Sequence, residues 1–558
     1  MDADVIIVGA GLSGLVAARE TSRAGLRTII IDQEGPQDLG GQAWWSFGGL
    51  FLVDSPEQRR FGVRDSFELA WQDWQGSAQW DRLSGELPED SWAARWGRAY
   101  VEFASGEKRS WIRDAGIELT PVVGWAERGD LSAGGHGNSV PRFHVPWGTG
   151  TGVVQPFIDA ALAATATGRT EIRHRHRCDG LIVENGTTVG VRGTILEPDT
   201  SPRGASSSRH AVGDFELRAP AVIVASGGIG GNHALVREHW PERLGTPPSH
   251  MVTGVPDYVD GRMIDLAGEA GARLVNRDRM WHYTEGVRNW NPVWPGHAIR
   301  ILPGPSPLWL DALGRRLPPP GLPGHDTLGT LRMLRTTPGL AAHDHSWFIV
   351  TSRMAAKEFA LSGSEQNPDL TNRDRKLLLK TRLGRGAPGP VQAFIDRGPD
   401  FVVADTVPAL VDRMNALTSE PFLDAAAVAR VIAERDAEVR NPFSKDAQMM
   451  SIRNSRRYLG DRLTRTTAPH RLLDPAAGPL VGVQLHTLTR KSLGGIQTDL
   501  SSRAIGADGT PLPGLYAAGE AAGFGGGGVH GYNALEGTFL GGCLFSGRAA
   551  GRAVVEAA

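Results

Sequence analysis

The first 32 residues contain the pattern that most constrains the fold. Residues 4–8 are an apolar run that predicts a buried strand, and residues 9–14, GAGLSG, follow it with the spacing Gly-x-Gly-x-x-Gly. Residues 15–24 predict a helix, and residues 27–31 predict a second strand that ends at Asp32. The chain therefore begins with one βαβ unit, the building block of a parallel sheet covered by helices.

This βαβ unit has the features of a dinucleotide-binding turn. Its glycines leave room for a pyrophosphate against bare backbone, and the N-terminus of the helix attracts the negative charge. Asp32 stands where a carboxylate can bind ribose hydroxyls, and its charge disfavours a 2′-phosphate. The unit does not by itself distinguish FAD from NAD.

A second glycine-rich segment lies near the other end of the chain. Residues 514–520, GLYAAGE, predict a strand that ends in an acid, and residues 523–528 are five glycines and one phenylalanine. A flavin dinucleotide is long enough to need both segments, so we expect FAD. No second glycine fingerprint stands between a predicted strand and a predicted helix, so we expect no separate nicotinamide cofactor.

Composition excludes several other classes of protein. A chain of 558 residues is long enough for two or more domains, and a net charge of −2 gives no field that would attract nucleic acid or an anionic membrane. Cys178 and Cys543 are too few for a disulfide framework. The sequence shows no leader and no apolar run of about 18 residues, so we expect a cytoplasmic protein without a membrane span.

The composition also changes along the chain. Residues 281–323 are rich in Pro, Trp and Gly with weak periodicity, residues 356–446 have mainly helical patterns, and glycine-rich strands and turns return after them. We therefore predict an α/β protein: a discontinuous Rossmann-like FAD-binding domain, residues 1–279 and 451–558, with an inserted α+β cap domain for the substrate, residues 280–450.

With these motifs in place, the sequence resembles a known flavoprotein family. It is similar to fumarate reductases, succinate dehydrogenase flavoproteins, aspartate oxidases and 3-ketosteroid dehydrogenases over residues 1–49, 144–160, 221–231, 254–272 and 493–552. In that family, the segment matching residues 40–49, GGQAWWSFGG, lies against the pyrophosphate and the flavin. Members with covalent FAD carry a His close to the position of Gln42, so the resemblance implies non-covalent FAD.

The resemblance and the motifs together give a set of expected FAD-binding residues. They are Gly9, Gly11, Leu12, Ser13, Gly14, Asp32, Gln33, Gly40, Gly41, Gln42, Ser46, Gly48, Gly49, Ala225, Ser226, Gly227, Gly519, Glu520, Asn533 and Leu535.

Departures from the family pattern narrow the range of expected substrates. Fumarate reductases have a carboxylate-binding Arg where this chain has Ala534, and a His where it has Lys491, so a dicarboxylate is disfavoured. The branch of 3-ketosteroid type fits better. It implies hydride transfer between flavin N5 and a carbon next to a ketone-activated carbon, on a steroid-like or cyclic ketone.

Four side chains are candidates for the catalytic groups. Tyr283 is the first choice for proton transfer and His282 the second, since both lie where family members contribute substrate contacts. His486 and Arg490 come from the strand and turn that lead to the flavin. For each of the four, the alternative is a structural role, in which the side chain is packed and its polar end bonds a nearby group.

Other functions stay open at this level. The same chemistry run backward would reduce an alkene, including a fumarate-like unsaturated acid, and a flavoprotein of this kind can also serve as the electron-transfer subunit of a larger complex. The direction, the substrate and the electron acceptor (oxygen, a quinone or a soluble carrier) are not fixed. We expect no metal, because no third ligand follows His343 and His345 at useful spacing.

Overall fold

The computed structural model describes residues 1–383 and 386–558, and its first large element is a six-stranded sheet. The strands lie in the order Arg503–Ile505, Pro511–Ala517, Ala221–Val224, Val5–Val8, Thr28–Ile31 and Thr170–Arg173. All neighbours are parallel except the first pair. The sheet therefore joins strands from both ends of the chain, as predicted for a discontinuous domain.

Helices cover this sheet because its central strands are apolar on both faces. Val5–Val8 and Ala221–Val224 are buried at every position. The helices Leu12–Arg23, Thr149–Ala166 and Thr538–Ala557 pack on one face. The last helix approaches the first through Gly547, where an added Cβ would lie 2.4 Å from the Ser13 carbonyl oxygen. Close backbone contact of this kind requires glycine.

A three-stranded sheet covers part of the opposite face. It consists of His176–Glu184, Thr187–Leu196 and Ala211–Arg218, and the first two form a hairpin. Asn185 and Gly186 make its turn with φ of +52° and +77°, the conformation that favours Asn-Gly.

The second large sheet belongs to the cap region. It contains Leu308–Leu310, His345–Thr351, Leu480–Ser492, Met280–Arg288, Ala298–Pro303 and Phe359–Leu361 in that order, with Val252–Thr253 and Phe401–Ala404 also paired to Leu480–Ser492. Residues 281–323 thus contain three strands where weak periodicity gave no clear prediction. Ala298–Pro303 is buried at every position, so its sequence shows no alternation between apolar and polar residues.

The predicted boundary at residue 450 stays a prediction, and the second sheet crosses it. Leu480–Ser492 lies in the middle of that sheet and pairs with four other strands. The predicted helical character of residues 356–446 is largely confirmed, with two short strands interrupting the helices.

The remaining elements are short sheets and helices. Two small sheets contain Leu50–Phe51, Phe143–Pro146 and Leu119–Gly124, and Leu274–Val275 with Gly495–Ile496. The further helices that precede residue 280 in the chain are Pro56–Arg60, Phe67–Ala78, Asp90–Ser105, Lys108–Asp114, His233–Glu238 and Arg262–Glu269. Those of the cap region are Thr327–Thr336, Ser352–Glu358, Pro368–Thr371, Arg375–Leu383, Gly389–Arg397, Val407–Asn415, Ala425–Arg440, Ala447–Ser455 and Leu459–Thr464.

A substitution in the first turn tests how tightly the strand, the turn and the helix are packed. In Gly14→Ala the new Cβ would lie 2.1 Å from the Gly9 carbonyl oxygen, so backbone must move. We expect the free energy of unfolding to fall by about 1–3 kcal/mol in a denaturant titration. Gly124→Ala is the matched control, because no heavy atom lies within 4 Å of its added Cβ. An equal effect of the two substitutions would contradict this account.

Candidate active site

A cavity of about 1670 Å³, including its open mouth, lies between the two large sheets. Residues that directly follow the parallel strands of the first sheet line one part of it, among them Gly9, Asp32, Ala225 and Glu520. Ligands of open α/β sheets bind at this edge, outside the carboxyl ends of the strands. The second sheet supplies the opposite wall, including Tyr283 and Arg300.

The first glycine turn forms a bare backbone cradle. Gly9 has φ of +106°, and a Cβ there would lie 2.6 Å from the Ala225 carbonyl oxygen, so this position needs glycine. Gly11 is different, because the nearest atom to an added Cβ is 3.9 Å away. Leu12–Arg23 begins directly after Gly11, and no side chain caps that end. Its first amide groups are therefore available to an anion in the cavity.

Two acids, the partly buried Asp32 and the buried Glu520, stand at separate places in this cavity. Asp32 accepts hydrogen bonds from the backbone amides of Ala10 at 2.7 Å and Glu34 at 2.8 Å. Glu520 accepts from the Ser492 amide at 2.9 Å and from the Gln42 side chain at 3.1 Å. Burial raises the pKa of both carboxyls, and these hydrogen bonds oppose the rise.

Most of the residues predicted to bind the cofactor line this one cavity. They are Gly9, Gly11, Leu12, Ser13, Asp32, Gln33, Gly41, Gln42, Ser46, Gly48, Gly49, Ala225, Ser226, Gly227 and Glu520. The others, Gly14, Gly40, Gly519, Asn533 and Leu535, do not line it. Gly40 lies directly behind the wall, since its amide bonds the Ala10 carbonyl at 2.9 Å. The individual contacts to a cofactor stay predictions.

The cavity fits an extended dinucleotide. The glycine cradle at Gly11 and Gly41 has no side chain in it, and a second helix, Thr538–Ala557, begins at Gly537 on the cavity wall, also without a side-chain cap. Two helix N-termini of this kind favour negative charge at two places, the pyrophosphate and a reduced flavin ring. The residues present therefore fit FAD.

Beyond the cradle, a polar group of four side chains lies where the opposite wall meets the segment that precedes the helix Thr538–Ala557. Lys491 Nζ donates a hydrogen bond to the Tyr283 hydroxyl at 2.8 Å, and that hydroxyl donates to Glu536 Oε1 at 3.1 Å. Arg300 NH1 donates to the same carboxylate oxygen at 2.9 Å, and its guanidinium carbon lies 3.9 Å from the centroid of the Tyr283 ring. All four residues line the cavity.

Burial sets the protonation of these groups. It raises the pKa of Tyr283 well above its ordinary value, and the Glu536 carboxylate adds to the rise. Burial lowers the pKa of Lys491 to about 7. The pKa of Glu536 is raised by burial but lies below its ordinary value, because Lys491 and Arg300 outweigh that effect. The resting site therefore holds a protonated tyrosine beside an amine that titrates near neutrality.

Arg300 is surrounded by carboxylates on every edge of its guanidinium. NH1 pairs with Glu536, NH2 with Glu127, and Nε lies 3.3 Å from Glu285. Burial lowers the pKa of Arg300, but Glu285 and Glu127 raise it well above its ordinary value. Arg300 is thus a fixed cation with no free edge for a substrate carboxylate.

Apart from this polar group, Ser362 and Arg490, apolar side chains line this end of the cavity. Phe47 and Phe143 stack with ring centroids 6.0 Å apart, and Leu302, Phe539 and Leu540 also line the cavity. Trp44 and Trp45, which could have formed a flat wall, are not among the lining residues; Trp45 packs edge-on against Trp294. A bulky apolar ligand with one polar end therefore fits this region.

Of the four predicted catalytic residues, two line the cavity and two do not. Tyr283 and Arg490 line the cavity, whereas His282 and His486 do not. His282 accepts a hydrogen bond from the Arg490 amide at 3.2 Å and stacks on Trp240, and burial lowers its pKa to about 3. His486 faces away from the cavity toward Asp400, at 3.2 Å. None of these placements tests a catalytic role, which stays a prediction for each.

Sequence reasoning missed part of the polar group. Glu127 comes from a loop without a recognisable pattern, and its partner Arg300 is 173 residues away in the chain. Glu536, two residues after Ala534, was not predicted as a site residue. Among residues 1–383 and 386–558, no group of three or more His, Cys, Asp or Glu side chains is arranged to hold a metal ion.

Fold and site together define a flavin-dependent oxidoreductase. The chain belongs to the family described as FAD binding domain, which matches residues 4–540. It is 61% identical to a KsdD-like steroid dehydrogenase of Mycobacterium tuberculosis, covering 100% of this chain and 96% of the relative. It is also 61% identical to a KsdD-like steroid dehydrogenase of Mycolicibacterium smegmatis, over 97% and 96% of the two chains.

A solved structure shares the fold. The 3-ketosteroid delta1-dehydrogenase from Sterolibacterium denitrificans, in complex with 1,4-androstadiene-3,17-dione, is similar with a TM-score of 0.67 and 15% identity over 100% of both chains. The predicted α/β FAD-binding fold is thus confirmed, and so is FAD as the cofactor. Within the described residues, no helix combines the length and the apolar character needed to cross a bilayer.

Gly11 offers a test of the cradle that leaves the fold intact. Its φ of −75° and ψ of −179° suit any residue, and open space surrounds its added Cβ. In Gly11→Val the new methyl groups would occupy the place of the pyrophosphate, so we expect FAD affinity to fall at least about tenfold, a loss of ~1.4 kcal/mol. Titration of the apoprotein by flavin fluorescence measures this.

Two controls accompany this test. Far-UV circular dichroism of Gly11→Val should match that of the wild type, and Gly124→Val, outside the cavity, should bind FAD normally. Added FAD should also raise the melting temperature of the wild-type apoprotein, by mass action, and should do so less in Gly11→Val. Undiminished affinity in Gly11→Val would place the pyrophosphate elsewhere.

Proposed function

We propose that this protein dehydrogenates a CH–CH bond next to a ketone in a steroid-like or cyclic substrate, with Tyr283 moving the proton. One observation carries the proposal: the Tyr283 hydroxyl, hydrogen-bonded on both sides, lies in a cavity that is also lined by apolar side chains, namely Phe47, Phe143, Leu302, Phe539 and Leu540. Two relatives that are 61% identical are named KsdD-like steroid dehydrogenases, which supports the substrate class.

FAD, when bound, supplies the acceptor for a hydride from the substrate carbon. The chain's own residues then have to remove a proton from the neighbouring carbon. Because burial raises the pKa of Tyr283, a stored tyrosinate is disfavoured. The Tyr283 oxygen therefore takes the substrate proton while its own proton passes to Glu536, 3.1 Å away.

The surroundings of Arg300 favour a neutral ketone over a dicarboxylate. A substrate carboxylate would have to displace one of three glutamates from the guanidinium, and a displaced glutamate would stay buried without a cation. This argues against fumarate-like reduction, which the substitution at Ala534 also disfavours. The apolar side chains around Tyr283 suit a fused-ring or cyclic skeleton instead.

The flavin must also pass its electrons to an acceptor. The enzyme is expected to act alone in the cytoplasm and to pass electrons to oxygen, a quinone or a soluble carrier. Cys178 and Cys543 are both free, which favours a reducing compartment. Turnover of the isolated chain with an artificial dye would separate this proposal from that of an electron-transfer subunit, which needs its complex.

Bleaching of the bound flavin tests the substrate class. Under anaerobic conditions we expect 3-ketosteroids and saturated cyclic ketones to reduce the flavin, which removes its visible absorbance. Unsaturated acids mixed with photoreduced enzyme should leave it reduced. The opposite pattern, reoxidation by fumarate without bleaching by any ketone, would replace the proposal by the fumarate-reductase alternative.

Substitution of Tyr283 tests the proton step. Tyr283→Phe keeps the ring and removes the hydroxyl, so we expect the rate of bleaching by a substrate ketone to fall by at least about 100-fold with the flavin still bound. Tyr516→Phe is the control, because Tyr516 lies on the first sheet and does not line the cavity. A rate within a few-fold of wild type in Tyr283→Phe would remove this residue from the mechanism.

A further inference from the structure

Lys491 has surroundings unlike those of a lysine that serves as a fixed cation. Its amine lines the cavity, hydrogen-bonds the Tyr283 hydroxyl at 2.8 Å, and lies 3.7 Å from the centroid of the Phe539 ring. In the described part of the chain no carboxylate lies within ion-pair distance of it. The Glu536 carboxylate and the Phe539 ring face favour the ammonium, whereas burial and the neighbouring guanidiniums of Arg490 and Arg300 favour the neutral amine. Burial is the largest of these effects, and it lowers the pKa of the amine.

The neutral amine changes what this group does. An ammonium can only donate hydrogen bonds, whereas a free amine is a nucleophile toward a carbonyl carbon. Burial lowers the pKa of Lys491 to about 7, so a large fraction of the amine is free at neutral pH. The ketone expected in this cavity is the electrophile with which such an amine condenses.

We infer that Lys491 forms a covalent iminium with the substrate ketone, so that the ketone is activated by a protein amine. This rests on the proposed function for the identity of the substrate. The Lys491 nitrogen attacks the carbonyl carbon and loses its two protons, and the carbonyl oxygen leaves with both as water. The product is a positively charged iminium once one further proton is taken up, and hydrolysis later restores the amine and the ketone.

Neighbouring groups meet the needs of that condensation. The Tyr283 hydroxyl is close enough to the amine to give a proton to the departing oxygen, and Glu536 accepts from that hydroxyl at 3.1 Å. The carboxylate of Glu536 also offsets the positive charge of an iminium at Lys491. An iminium withdraws electrons more strongly than a ketone does, so it makes the adjacent C–H more acidic for the step assigned to Tyr283.

Reductive trapping tests the inference. The holoenzyme is incubated with sodium cyanoborohydride and either cyclohexanone or a 3-ketosteroid, digested, and mapped by mass spectrometry. The chain has six lysines, Lys108, Lys357, Lys376, Lys380, Lys445 and Lys491, so every site can be followed. We expect the mass of the reduced ketone on the peptide that contains Lys491, and only when ketone is present.

Lys108 is an internal control that shows whether burial alone makes a lysine amine react with the ketone. It is also buried with a lowered pKa, but its amine donates to the Phe51 carbonyl and the Tyr100 hydroxyl and does not line the cavity. It should stay unmodified. The rate of trapping at Lys491 should rise as pH increases through about 7, because the free amine is the reactive form and predominates above its pKa.

Lys491→Arg gives a second, independent measurement. Arginine retains a positive charge and hydrogen-bond donors but does not condense with ketones, so we expect the rate of flavin bleaching by a substrate ketone to fall by at least about 100-fold with FAD still bound. Bleaching at the wild-type rate in Lys491→Arg, or bleaching of the wild type without any adduct at Lys491, would overturn the inference and leave the proposed function standing. Absence of bleaching by every ketone would instead refute the proposed function, and the cyclohexanone adduct would then decide the role of Lys491 alone.

Discussion

The structure depends on close contact between bare backbone segments at the edge of the first sheet. Gly9 lies so near the Ala225 carbonyl that any side chain would separate the two strands, and Gly547 allows the last helix to reach Ser13. These contacts bring the two ends of a 558-residue chain to one cavity. Without them, Asp32 and Glu520 would not face the same ligand.

The near absence of side chains in the glycine cradle also determines how the cradle attracts a dinucleotide. The cradle at Gly11 and Gly41 offers the backbone amides of a helix N-terminus and has no side chain in it, so it favours a dinucleotide by geometry more than by net charge. At the opposite wall, Arg300 is paired with three buried glutamates, and the Lys491 amine hydrogen-bonds Tyr283. Affinity for the cofactor and chemistry on the substrate are thus assigned to different walls of one cavity.

The sequence predicted the first wall far better than the second. Glycines at fixed spacing, an apolar strand and an acid at its end are local requirements, so residues 9–14 and Asp32 could be recognised without a structure. The second wall is built from strands buried on both faces, which show no alternation, and from long-range pairs such as Arg300 with Glu127. Such pairs leave no pattern in a single sequence, and Tyr283 was identified through family position only.

The middle strand of the second sheet, Leu480–Ser492, fixes the distance between two residues of the site. Tyr283 and Lys491 lie on two adjacent strands of that sheet, so they keep their spacing however the sheet moves as a body. Glu536 and Phe539 belong to the other wall, with the glycine cradle. The Tyr283–Lys491 pair is therefore held on one half of the molecule, and the hydrogen bond from Tyr283 to Glu536 joins it to the other half.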